Sequence, residues 1–146
     1  MKYYKLQPEV AGQVGDESIL EYKNGMISEV KFLEYSFFGW LGDELLTSHP
    51  CFIVTKELAV AMQASNLLGY TLQDMRVSLS EEFIDFYGNK KLPEFIRLIP
   101  AELYPDELFE PANDLYLSKR CDLIVSERAL LILKKYKLNN CDIDEI

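Results

Sequence analysis

No apolar run in this 146-residue chain approaches the roughly 20 residues needed to cross a membrane. The opening Met1-Lys2-Tyr3-Tyr4-Lys5-Leu6-Gln7-Pro8 lacks the apolar core of a secretory signal, so the sequence points to the cytoplasm. Cysteine is sparse. Cys51, Cys121 and Cys141 are odd in number and widely spaced, which excludes a disulfide framework. Histidine and tryptophan occur once each, as His49 and Trp40. Basic residues are too few to balance the acids, and the net charge is −9. That deficit argues against nucleic acid or an anionic membrane as partner, since both require basic surface, and it permits a basic protein partner. Apolar side chains are plentiful: 49% of residues are hydrophobic, with eight Phe and nine Tyr. Such a chain can bury a core as one domain, 1–146.

The familiar chemical motifs are weak. His49, Cys51, Cys121 and Cys141 are four potential zinc ligands, but structural zinc sites bring ligands as close pairs, and only His49-Pro50-Cys51 is close. The same residues leave open a small Cys/His-dependent enzyme. Beside apolar runs, however, a cysteine more often serves as a small buried hydrophobe. Gly39-Trp40-Leu41-Gly42 lacks the Lys-Ser/Thr that would make it a phosphate loop, and it reads as a turn that sets Trp40 on the core or at an interface. Glu81, Glu82 and Asp85 follow Ser80 and fit the first turn of a helix better than an acid–base pair. Asp122, Asp142 and Asp144 show no calcium-loop spacing and read as a solvated face. We expect no catalytic residue, metal or cofactor.

The clearest local pattern runs from Asp122 to Ile143. Leu123-Ile124-Val125 is a short β-prone run, Ser126 is placed as a helix N-cap, and an apolar stripe follows through Leu130, Leu133 and Leu138. Lys134, Lys135 and Lys137 would suit the last turn, and Asn139-Asn140 would supply a left-handed exit. A fainter copy lies 71 positions earlier, with Thr55 on Ser126, Leu67 on Leu138 and Leu72 on Ile143. Elsewhere, Met1–Leu6, 19–22, 30–37, 70–79 and 93–100 alternate or run apolar as strands, with Asn24-Gly25 as a hairpin turn and 11–17 as a loop. The expected fold is α+β, a single domain. Its sheet is mixed or largely antiparallel, with two principal helices, about 56–67 and 127–138, and a short helix near 80–87.

Gly39-Trp-Leu-Gly-Asp43, Pro50-Cys-Phe-Ile-Val-Thr-Lys-Glu-Leu-Ala59, Asp122-Leu-Ile-Val-Ser-Glu-Arg-Ala-Leu130 and Cys141-Asp-Ile143 resemble bacterial immunity proteins of polymorphic toxin systems, in the family numbered eleven. The resemblance covers roughly Val30 to Ile143. It implies a non-enzymatic cytoplasmic protein that binds and neutralises a cognate toxin domain encoded beside it, and it implies no catalytic residues. The charge pattern names a place for such contact. Glu102, Asp106, Glu107, Glu110 and Asp114 fall in one stretch without a base, among Tyr104, Phe109 and Tyr116. These eight are the expected partner-binding residues, carried on a long loop held by a regular scaffold. A structural or regulatory interaction module unrelated to toxins is the other reading.

Overall fold

The computed structural model describes residues 2–103 and 113–146. Its strands and helices run in chain order as β1 (Tyr3–Gln7), β2 (Glu9–Val10), β3 (Gly12–Val14), β4 (Ile19–Lys23), β5 (Met26–Phe32), β6 (Glu34–Phe37), β7 (Leu45–Ser48), β8 (Cys51–Thr55), α1 (Lys56–Ala64), β9 (Tyr70–Gln73), β10 (Arg76–Leu79), α2 (Glu81–Tyr87), β11 (Phe95–Glu102), β12 (Leu115–Leu117), β13 (Leu123–Ser126), α3 (Glu127–Leu133) and β14 (Asp142–Glu145). This is a single-domain α+β fold, mostly strand, with a curled mixed sheet and, among the described residues, three helices.

Two copies of one unit build the main sheet. The first is β7–β8–α1–β9, with β11 inserted between β8 and β9; the second is β12–β13–α3–β14, with β1 inserted between β13 and β14. Their registers coincide. Leu45 faces Val54 as Leu115 faces Val125, Phe52 faces Leu98 as Leu123 faces Leu6, and Leu72 faces Leu98 as Ile143 faces Leu6. The parallel contacts match too: Glu9 lies beside Leu46, and Ala101 beside Tyr116. In sequence, Leu45, Ser48 and Cys51 fall on Leu115, Ser118 and Cys121. One extra residue, Asp122, then brings Val54 and Thr55 onto Val125 and Ser126. The faint 71-residue echo is thus a structural repeat. The inserted strands are exchanged: β1 precedes the first unit but completes the second, and β11 precedes the second but completes the first.

With β1 and β2 counted as one strand interrupted at Pro8, the pairings run β8, β11, β12, β13, β1–β2, β7 and back to β8, closing a ring. One face of it carries equivalent apolar pairs, Leu6 and Leu98, Leu45 and Leu115, Phe52 and Leu123, Val54 and Val125. These pack with Leu58, Ala59 and Met62 of α1 and with Ala129, Leu130 and Leu133 of α3. The other face of the first unit, Leu46, Cys51, Ile53 and Phe95, joins Leu33, Tyr35, Phe37 and Phe83 in a second core. That core lies under the small β10-β6-β3 sheet and α2. The β4–β5 ribbon turns at Asn24 (φ 54°) and Gly25 (φ 77°), as the Asn-Gly pair predicts.

Several boundaries differ from expectation. α1 ends at Ala64 because Asn66 takes φ 55° and turns Leu67 into the core. α3 ends at Leu133, so Lys134 is its C-cap and Lys135 and Lys137 fall beyond it. α2 is as long as α3, so two dominant helices do not describe the fold. The strand expected over 30–37 breaks at Leu33, and that over 70–79 divides into β9 and β10 in different sheets. The expected loop 11–17 contains β3. Residues 139 and 140 are not left-handed; their amides serve another purpose, described next.

Candidate functional site

The sequence motifs prove to be internal ties. Asp43, 1% exposed, accepts hydrogen bonds from the Asn139 amide (2.9 Å), the Asn140 amide (2.7 Å) and the Asn140 side chain (3.1 Å). Those bonds hold the turn of Gly39–Asp43 against the exit from α3. Buried Glu9 holds the same turn from its other side, accepting from the Leu41 amide at 2.7 Å and the Asp43 amide at 3.3 Å. Burial pushes the Glu9 carboxyl above its ordinary range, against the pull of those amides and with the help of nearby Asp43. Trp40 donates from Nε1 to the Asp43 carbonyl (2.8 Å) and meets Phe95 edge-on, with Lys90 Nζ 5.2 Å from its ring. The turn therefore sets the ring against the second core.

The two units also share a clamp at the helix starts. Thr55 Oγ1 caps α1 and donates to Glu44 (3.0 Å); Ser126 Oγ caps α3 and donates to Asp114 (2.7 Å). Glu44 also accepts from the Lys137 amide, and Asp114 from the Leu68 amide. The second clamp adds Arg128. Its guanidinium grips Asp114 at 2.7 Å and 3.3 Å and reaches the Ser65 and Asn66 carbonyls at the end of α1. Burial alone would raise the Asp114 carboxyl, but the bonds from Arg128, Leu68 and Ser126 outweigh it and hold it below the usual range. Bonds to a charged acceptor are the stronger kind, so a buried carboxylate with several donors is a firm joint.

The expected partner-binding residues therefore divide. Glu102 is exposed at the end of β11. Asp114 is 5% exposed and committed to the clamp, and Tyr116 is 3% exposed, packed with Tyr3 and Ile124. Both are buried, Asp114 just ahead of β12 and Tyr116 within it. Tyr104, Asp106, Glu107, Phe109 and Glu110 lie outside the described residues. His49 sits in the β7–β8 turn, joined to Pro50 by a cis bond. Among the described residues no His/Cys/Asp/Glu group has the arrangement to hold a metal. Burial pushes all three thiols up, Cys141 to about 12, which is opposite to the depressed value that activates a nucleophile. An open cleft of about 500 Å³ beside Trp40 carries Glu44, Glu57, Lys91 and Lys137, whose charges cancel.

The surface with a consistent character is α2. Ser80 Oγ accepts from the Phe83 amide (3.1 Å), and the Ser80 amide donates to the Phe37 carbonyl (2.9 Å), fixing the start of the helix. Phe83 is fully buried, stacks on Tyr87 at 4.8 Å and meets Phe37 edge-on. The helix is thus anchored by one side and shows the other. Outward it presents Phe86, 82% exposed, and Ile84, 53% exposed, among Glu81, Glu82 and Asp85. The sequence held a signal for this. Phe83, Ile84, Phe86 and Tyr87 are too many apolar residues for one face of a two-turn helix, so some must point to solvent. No protein-family model matches the chain, and neither the curated proteins nor the solved structures contain a match.

Proposed function

We propose that this protein is a non-catalytic immunity protein that binds and neutralises a basic toxin domain encoded beside it. The observation that carries the reading is α2: an exposed aromatic ring with an acidic surround, mounted on a helix whose other face is locked into the core. Interfaces are anchored by few residues, aromatic ones prominent among them, at the centre of a patch that excludes water. Exposed acids around that anchor draw in a basic partner and discriminate against acidic ones. The acidic run from Glu102 to Asp114 in the sequence agrees with a basic partner. The resemblance of the Gly39–Asp43 and Asp122–Leu130 motifs to immunity proteins supplies the class of partner.

The test is binding to, and protection from, the product of the neighbouring gene. Phe86→Ala should weaken the complex at least tenfold in a calorimetric titration. The fold should keep its stability to within about 0.5 kcal/mol, because the ring is already in water. A neighbouring product that neither binds nor is neutralised would end the proposal.

A further inference from the structure

We propose that the open edge of β10 is a strand-docking site for an extended segment of a partner protein in which basic and apolar side chains alternate. β10 is an end strand of the β10-β6-β3 sheet, bonded to β6 in parallel register from Arg76 beside Glu34 to Leu79 beside Phe37. The Arg76 and Ser80 amides point toward β6, donating to the Leu33 and Phe37 carbonyls at 2.9 Å each. A strand's groups alternate in direction, so the N–H and C=O groups of Val77 and Leu79 point the other way. Among the described residues no strand pairs with that side. Natural sheet edges are usually blunted by lysine, proline, a bulge or a covering element. Here the two outward-bonding residues are apolar, 40% and 41% exposed, with Phe38 (39%) next to Phe37 at the end of β6.

The two faces flanking this edge differ in chemistry, and that difference defines the occupant. Val77 and Leu79 lie on the apolar face, in register with buried Tyr35 and Phe37. On the opposite face Ser78 and Ser36 line a cleft of about 280 Å³ with Asp16, Glu17 and Glu34. Asp16, Glu17 and Glu34 make the cleft acidic; Arg76, in register with Glu34, is not among its lining residues. Glu81 and Glu82 follow directly at the end of the strand. A strand added to β10 would send alternate side chains to these two faces: lysine or arginine toward the cleft, aliphatic residues toward Val77, Leu79 and Phe38. Main-chain bonds then give affinity and the alternating side chains give specificity.

This inference rests on the proposed function only for the protein that supplies the strand, and the experiment separates the two. Amide hydrogen exchange at Val77 and Leu79 is followed by NMR with the neighbouring gene's product, and separately with a capped Val-Lys-Val-Lys-Val-Lys-Val peptide. Docking predicts at least tenfold slower exchange at both amides. Val77→Lys, which keeps the fold but blocks the edge, should weaken binding at least tenfold. Asp16→Asn with Glu17→Gln, both on exposed residues, should reduce its salt dependence. If the product binds but both amides exchange as before, the edge is not the site, although the proposed function stands. If the product does not bind, the proposed function falls and the peptide alone decides: protection at the two amides supports the edge, and unchanged exchange overturns it.

Discussion

Asp114 and Glu9 are two buried carboxylates with opposite consequences for stability. Asp114 is held below its ordinary value near 3.8, so it adds stability above that pH, and the contribution is lost as acid protonates the folded form. Glu9 is raised above 4.5, so the folded state holds its proton longer, and stability falls as pH rises through the window between the ordinary and raised values. Asp114→Asn should destabilise the protein by about 2–3 kcal/mol, since it weakens several charge-assisted bonds at once. Arg128 is half exposed, so the larger part of that loss comes from the Ser126 and Leu68 donors. Urea unfolding at pH 7 and pH 3 checks this: the gap between variant and parent should narrow at the lower pH. The sequence showed Asp114 as one acid in a run of acids. Its burial was not legible because Leu68 and Arg128 reach it from distant parts of the chain, and charge counting has no access to that. Ser126 as an N-cap was legible, because a cap needs only the next three residues.

Elements read well where their signals were local. The Asn24-Gly25 hairpin, the Ser80 start of α2 and the strand–cap–helix order of both units follow from turn chemistry and spacing. Strand boundaries read poorly wherever neighbouring apolar runs served different sheets, as in 70–79, because alternation does not say which partner a strand takes. The placement of both helices in one core also needed the structure. Met62 of α1 and Leu133 of α3 occupy equivalent positions there and are almost fully buried. Met62→Ala and Leu133→Ala should each cost about 2–4 kcal/mol. Because they share one core, the double variant should depart from the sum by more than about 0.5 kcal/mol, which denaturant unfolding of all four proteins would reveal. The glycine between α1 and β9 is equally constrained. Gly69 has φ +95°, and a Cβ there would sit 2.6 Å from the Leu115 carbonyl oxygen, so this turn admits no side chain without moving β12.

For the whole molecule, the net charge of −9 sets the approach of partners more than the strength of the final complex. Neutralising Glu81, Glu82 and Asp85 together should slow association with a basic partner several-fold at low salt and flatten its salt dependence, with dissociation nearly unchanged in stopped-flow mixing. Acidity was fully legible in the sequence, down to Glu81, Glu82 and Asp85 of α2; the exposure of Phe86 beside them was not, because it depends on which helix face Phe83 claims. The ring has a kinetic signature as well. β1 finds its partners more than a hundred residues away, in β13 and β14, and such distant pairing slows folding. Refolding from urea should therefore run on the millisecond-to-second scale rather than in microseconds. The exchanged strands matter most during synthesis. On a ribosome β1 emerges early and waits, unpaired, until the segments that flank it have been translated. The first unit waits in the same way for β11. All strands of the first unit are translated once β11 is made, whereas β1 stays unpaired until β13 and β14 follow, so a nascent chain can close its first half while the second still waits.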